Sequence, residues 1–144
     1  IAKGDVACCL MHNRDNSEYA VFLKEWYEET AECVTLAKAA GIADDKIMLD
    51  PGVGFGKTYE QNLVTIKYMD KLKTLGYPLL LGTSRKSVIG LTLDTPVTDR
   101  ALGTAVTTVF AVQQGYAFVR VHDIKANKQA IQMTKAILDS AENA

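Results

Sequence analysis

Cysteine is scarce in this sequence and awkwardly placed: Cys8 and Cys9 are neighbours and Cys33 stands alone. An odd set that begins with an adjacent pair is a poor framework for structural disulfides, so reduced thiols in a cytoplasmic compartment are expected. Long apolar runs are missing too. None approaches the roughly 20 residues that cross a bilayer, and no charged lead-in precedes a cleavable apolar stretch, so a soluble protein is expected. Charge of one sign is also lacking, since 16 Lys and Arg oppose 17 Asp and Glu, a net charge of −1. No global field therefore draws the chain to nucleic acid or to an anionic membrane, and any anion site has to be local. Pro/Gly/Ser-rich linkers, low-complexity tracts and internal repeats are absent, which leaves 144 residues to form one domain or part of one. The chain opens on Ile1, and Val6 to Met11 already reads as a strand, the pattern expected of a piece of a longer protein.

Four short apolar runs read as buried strands: Val6 to Met11, Ile47 to Leu49, Pro78 to Leu81 and Ala117 to Val121. Helical patterns separate them. Ser17 is placed to cap a helix carrying Leu23, Tyr27, Ala31 and Val34 and stopping at Gly41. Leu63, Ile66, Met69 and Leu72 form the next stripe, closed by Gly76; Thr98 is placed to cap a third helix through Ala101, Ala105 and Val109 to Gly115; Ile124 to Ala141 makes a fourth. Strands and helices in strict alternation predict an α/β fold with a parallel sheet. Four units are half of an eight-unit barrel, although periodicity alone leaves a small doubly wound fold open.

The polar residues that break the packing pattern gather just after each strand: His12, Asn13 and Arg14; Asp50; Ser84, Arg85 and Lys86; Arg120 and His122. In a parallel barrel these places share one face, so the spacing predicts a cation-rich site with a single carboxylate, suited to an anionic substrate with a nitrogen-rich ring. Asp50 to Lys57 is the most specific segment, with three glycines that permit tight turns and close backbone approach. It nearly matches a phosphate-binding P-loop at Gly56-Lys57-Thr58, but that motif needs glycine where Pro51 stands. Arg85 and Lys86 lie at a helix start, where acidic residues are the local preference, which favours a functional reason for them. Strand alternation puts Arg120 and His122 on one face, able to clamp a phosphate together. Zinc held by His12, His122 and a cysteine is disfavoured because no ligand-pair spacing is present.

The ordered set Leu10-Met11-His12, Asp50 to Lys57, Leu81 to Ser87 and Arg120 to Asp123, each after a strand, closely resembles the second half of the dihydropteroate synthases. The resemblance covers nearly the whole chain. It implies that residues 1–144 form the C-terminal half, strands five to eight, of a pterin-binding TIM (β/α)8 barrel whose N-terminal half is absent from this chain. It implies a folate-biosynthesis transferase that condenses a pterin diphosphate with p-aminobenzoate. By similarity, Asp50 and Lys86 hold the pterin ring, Gly82 and Met11 line its slot, Phe55, Ser84 and Arg85 face p-aminobenzoate, and Arg120 and His122 bind the leaving diphosphate. The resemblance also implies Mg²⁺, placed by an asparagine of the first half, so no metal ligand is expected here and this piece alone is expected to be inactive. Asn13-Arg14 departs from many relatives and leaves the precise role of that loop open. The rival readings are a pterin-binding methyltransferase acting on methyltetrahydrofolate and a non-catalytic half-barrel that completes itself with the missing half or a second copy.

Overall fold

The fold is described from a computed structural model, in which residues 1–4 and 6–141 are described. After a short 3-10 turn the elements run β1 (Cys8–Met11), α1 (Phe22–Ala39), β2 (Ile47–Asp50), α2 (Tyr59–Tyr68), β3 (Leu80–Leu81), α3 (Ser87–Leu93), α4 (Ala101–Gln113), β4 (Phe118–Val119) and α5 (Ile124–Leu138). All pairings are parallel. Cys8 to Met11 lies beside Ile47 to Asp50, Leu49 bridges to Leu79, and Leu80-Leu81 lies beside Phe118-Val119. The strands therefore neighbour one another in chain order, whereas a doubly wound sheet reverses direction at a switch point.

One face of the sheet is covered by helices. Cys8, Ile47, Leu49 and Leu79 pack with Trp26, Val34, Ala37 and Leu72, while Leu81 packs with Ile66, Met69, Val88, Ile89 and Ala111. Alternation sends the other side chains to the opposite face, where the described residues provide no covering layer. Cys9 is exposed there, Met11, Met48 and Leu80 are half-buried, and Phe118 is 51% exposed.

Several boundaries differ from expectation. The first strand starts at Cys8 rather than Val6, and the third and fourth shrink to two residues each. Ser17 does not cap α1. The helix starts after Val21, whose N–H donates to the Glu25 carboxylate at 2.7 Å, and its buried stripe is Trp26, Thr30, Val34 and Ala37. A tryptophan with no exposed surface centres the packing one residue away from the predicted stripe. The second helix ends at Tyr68 and tightens into a 3-10 turn, Met69–Leu75, before the left-handed Gly76, and Leu63 of its stripe is 40% exposed. Thr98 lies in a 3-10 turn and α4 starts after Arg100; its buried side is Thr104, Thr107, Thr108 and Ala111. The last helix ends at Leu138, short of Ala141.

An unforeseen signal starts α2. Thr58 accepts from the Gln61 amide at 3.2 Å while the Gln61 side chain accepts from the Thr58 amide at 2.8 Å, a reciprocal cap directly after the glycine segment. Thr58→Ala is expected to cost about 1 kcal/mol, read as a lower denaturant midpoint at unchanged slope. An unshifted midpoint would mean the cap contributes nothing.

Candidate active site

Strand register brings the predicted residues into one row. Met11 lies opposite Asp50 across β1 and β2, and one residue past the Leu81 and Val119 pair come Gly82 and Arg120. All four lie on the uncovered face at the C-terminal ends of the strands. Gly82 is where two opposite charges come together: a Cβ built there would lie 3.3 Å from an Arg120 Nη and 3.5 Å from an Asp50 Oδ. The bare glycine leaves floor space between a carboxylate and a guanidinium.

Asp50 is buried, and its Oδ1 accepts from the Gly52 amide at 2.8 Å. Burial pushes its carboxyl up, while the Gly52 amide, Lys86, Arg120 and Lys57 pull it back. Lys86 donates to the Val53 carbonyl, and its ammonium lies 4.5 Å from the centre of the Phe55 ring. Burial pulls Lys86 below the usual lysine range, offset by Asp50. The Arg120 guanidinium has no carboxylate partner among the described residues and is exposed. That leaves an unsatisfied fork beside the row. His122 is exposed and tied to Ser84, whose Oγ accepts from the His122 amide at 3.0 Å and meets Nδ1 at 2.8 Å. With Nδ1 engaged, Nε2 is the ring nitrogen left for a ligand.

Arg85 has a different surrounding from Lys86. Its guanidinium grips Asp123 through two bonds, at 3.0 and 2.6 Å, so its charge is already matched within the chain. Its backbone is left-handed, φ 57°, an uncommon geometry for a side-chain-bearing residue. Two contacts hold it there: its N–H donates to Thr104 Oγ1 at 3.1 Å, and its carbonyl accepts from Arg100 at 3.0 Å. Gly90 on α3 makes room for Arg100, since a Cβ there would come within 2.2 Å of the guanidinium.

The glycine segment is held by its own Lys57 and by donors elsewhere in the chain. Its carbonyls accept from Trp26 (Pro51, 3.0 Å), Lys57 (Gly52 and Phe55, both 2.9 Å), Lys86 (Val53) and Tyr19 (Gly56, 2.8 Å). Gly54 N–H donates to Asn62 Oδ1. Gly52 and Gly56 are left-handed, and a Cβ on them would meet the backbone oxygens of His12 at 1.8 Å and Arg14 at 2.3 Å. These two glycines permit approach to the loop after β1, where the sequence reading had them approach a ligand.

That loop also acquires a role. Buried His12 is hydrogen-bonded to Glu29 at 2.9 Å and to Lys57 at 2.8 Å, so it is not gathered with His122 or a cysteine. Arg14 pairs with Glu25 and Glu29 and lies over the Tyr19 ring, so its charge is spent inside the protein. Burial, then Lys57, lowers the His12 pKa; burial likewise brings Lys57 down to about 8. Trp26, Tyr19, Glu29 and Asn62 were not singled out from sequence.

Among the described residues no three His, Cys, Asp or Glu side chains are grouped to hold a metal ion. Asp50 is the carboxylate of the row and is surrounded by the three cations Lys86, Arg120 and Lys57, so the residues present do not suit a divalent ion. No described helix is long and apolar enough to cross a membrane.

A family model described as pterin binding enzyme matches residues 1–122. The chain belongs to the pterin-binding enzyme family. It is 52% identical over 138 residues to a dihydropteroate synthase of Clostridium beijerinckii, covering 95% of this chain and 51% of that protein. The crystal structure of a dihydropteroate synthase from Clostridium difficile, in the presence of pteroic acid, superposes with a TM-score of 0.91 at 43% identity, over 96% of this chain and 53% of that one. A Yersinia pestis dihydropteroate synthase with a pterin-sulfa conjugate gives a TM-score of 0.91 at 34% identity, over 96% of this chain and 55% of that one. The chain thus spans about half the length of these relatives.

Proposed function

We propose that this chain is the C-terminal half, strands five to eight, of a (β/α)8 barrel with dihydropteroate synthase activity. The observation that carries the reading is the row of Asp50, Gly82 and Arg120, with Lys86 beside it, on a sheet face that the described residues leave uncovered. The Asp50 carboxylate accepts from the ring N–H and amino groups of a dihydropterin, and the Lys86 ammonium reaches the ring's acceptors. Gly82 leaves room for the flat ring. Arg120, which forms no ion pair with a carboxylate among the described residues, and His122, through Nε2, bind the diphosphate.

In the reaction the pterin methylene carbon loses its bond to the diphosphate oxygen, whose electron pair leaves with the diphosphate. The cationic carbon is attacked by the p-aminobenzoate nitrogen, which then sheds a proton. The chief demand on the protein is to stabilise the departing charge, and Arg120 meets it. The methyltransferase reading gives an unpaired guanidinium at this place no task, which favours the synthase. The N-terminal half completes the barrel and the site, so turnover requires it.

Arg120→Ala in the full-length protein tests the reading. Pterin diphosphate should bind about 10- to 150-fold more weakly, the cost of a charge-assisted hydrogen bond of about 1.5 to 3 kcal/mol, while the hydroxymethyl pterin without diphosphate binds nearly as before. Equal loss for both ligands in calorimetry would remove Arg120 from the anion site.

A further inference from the structure

Lys57 is a half-buried cation to which the proposed chemistry gives no task. Its Nζ meets three partners: the Gly52 carbonyl at 2.9 Å, the Phe55 carbonyl at 2.9 Å and His12 Nδ1 at 2.8 Å. Gly52 and Phe55 are the two ends of a turn closed by the Phe55 amide donating to the Gly52 carbonyl at 3.1 Å. One ammonium therefore bonds both ends of that turn. The third bond fixes the histidine's tautomer, because an ammonium can only donate. Nδ1 must accept, so Nε2 carries the proton and donates to Glu29 at 2.9 Å. Glu29 is held in turn by Arg14. A chain of bonds thus runs from α1 through His12, which is 2% exposed, to the turn. Burial opposes the charge on Lys57, and Asp50 and Glu29 offset that opposition.

The far side of the turn carries Phe55, whose ring lies beneath the Lys86 ammonium and is 37% exposed. We propose that Lys57 is a positioning residue: with the His12 and Glu29 pair it fixes the Gly52 to Phe55 turn, and so sets the Phe55 ring against which p-aminobenzoate binds. The identity of that substrate rests on the function proposed above; the clamp itself does not. Asp50 and Lys86 also touch the turn, at the Gly52 amide and the Val53 carbonyl, but their own backbones are placed by β2 and by the segment after β3, whereas Phe55 is itself an end of the turn, so losing Lys57 affects the p-aminobenzoate side more than the pterin slot. A buried lysine that merely stabilised the fold would lower stability without separating the two substrates.

The test uses the full-length protein with Lys57→Met and Lys57→Arg, followed by amide hydrogen exchange over residues 52–56 and by steady-state kinetics in both substrates. Lys57→Met should speed exchange of the Phe55 amide and raise KM for p-aminobenzoate about tenfold. The rise in KM for pterin diphosphate should be smaller by about fivefold, with kcat less affected than KM for p-aminobenzoate. Lys57→Arg, which keeps a cationic donor, should fall between wild type and Lys57→Met in both readouts. Unchanged exchange in Lys57→Met overturns the clamp, and faster exchange with both KM values shifted equally, or neither, overturns the positioning role. If the wild-type protein turns over neither substrate, the proposed function fails while the exchange readout still decides the clamp. Should Lys57→Met not fold, Glu29→Gln takes its place, with the same direction expected and the same overturning results.

Discussion

Replacing Lys86 by alanine, or Asp50 by alanine, in the full-length protein is expected to weaken pterin diphosphate binding about 10- to 150-fold each, the loss of a charge-assisted hydrogen bond of about 1.5 to 3 kcal/mol. The two losses arise on opposite sides of one salt-like arrangement and should be told apart by a second ligand. Asp50→Ala leaves Lys86, Lys57 and Arg120 without their neighbouring carboxylate. Inorganic diphosphate, which needs only cations, should then bind at least as well as to wild type. Lys86→Ala removes a cation and leaves buried Asp50 with less compensation, so inorganic diphosphate should bind no better than before. Calorimetry with the two ligands measures both. Either variant keeping wild-type pterin affinity while losing only p-aminobenzoate turnover would show that its residue does not hold the ring.

The second large effect concerns the chain on its own. Cys9, Met11, Met48, Leu80 and Phe118 occupy a sheet face that the described residues leave uncovered, and β1 and β4 end the ladder of described strands. Leu102 at 76%, Val106 at 50% and Phe110 at 43% exposure add an apolar strip on the outer side of α4. Apolar surface of this extent is rarely left open to water by a soluble monomer. The 144-residue chain at micromolar concentration is expected to sediment as a dimer or larger particle, and its synthase turnover to be undetectable. Adding the N-terminal half should convert it to a complex and restore turnover. A well-folded monomer would refute the association, and turnover without the other half would show that the catalytic parts are misplaced.

The strand ends were legible in the sequence because each combines an apolar run with an abrupt polar residue. Asp50 and Arg120 could be put at one face from their places just after the strands, whereas Gly82 came only from the family resemblance, and register aligns all three. Helix starts were less legible. Ser17 and Thr98 are good cap residues by type, yet the cap positions of α1 and α4 are Val21 and Arg100, four and two residues further on. In α1 a carboxylate one turn ahead does the capping work, a choice that depends on where Trp26 packs. Of helix α3 only the start, at Arg85 and Lys86, was read, because seven residues carry too short a stripe to detect, and Gly90 reads as a breaker. Its glycine is explained only by the guanidinium of Arg100, which arrives from another segment. The clamp on the glycine segment was hidden for the same reason: Lys57 and His12 are 45 positions apart, and neither residue type indicates the other.

The glycine segment has one further consequence, for protein design. Four carbonyls of Asp50 to Lys57 accept from donors outside the octapeptide: Asp50 from the His12 amide, Pro51 from Trp26, Val53 from Lys86 and Gly56 from Tyr19. Transplanted onto another scaffold as a cassette, those eight residues would carry their sequence but not their shape, since the partners that hold it, Asn62 at the Gly54 amide among them, lie on other segments of the chain. A faithful graft needs Tyr19, Trp26, Asn62 and Lys86 moved with it, together with a backbone strand in the place of β1. The portable unit is therefore the neighbourhood of the motif, and a search for the same octapeptide in an unrelated fold would find the letters without the pocket.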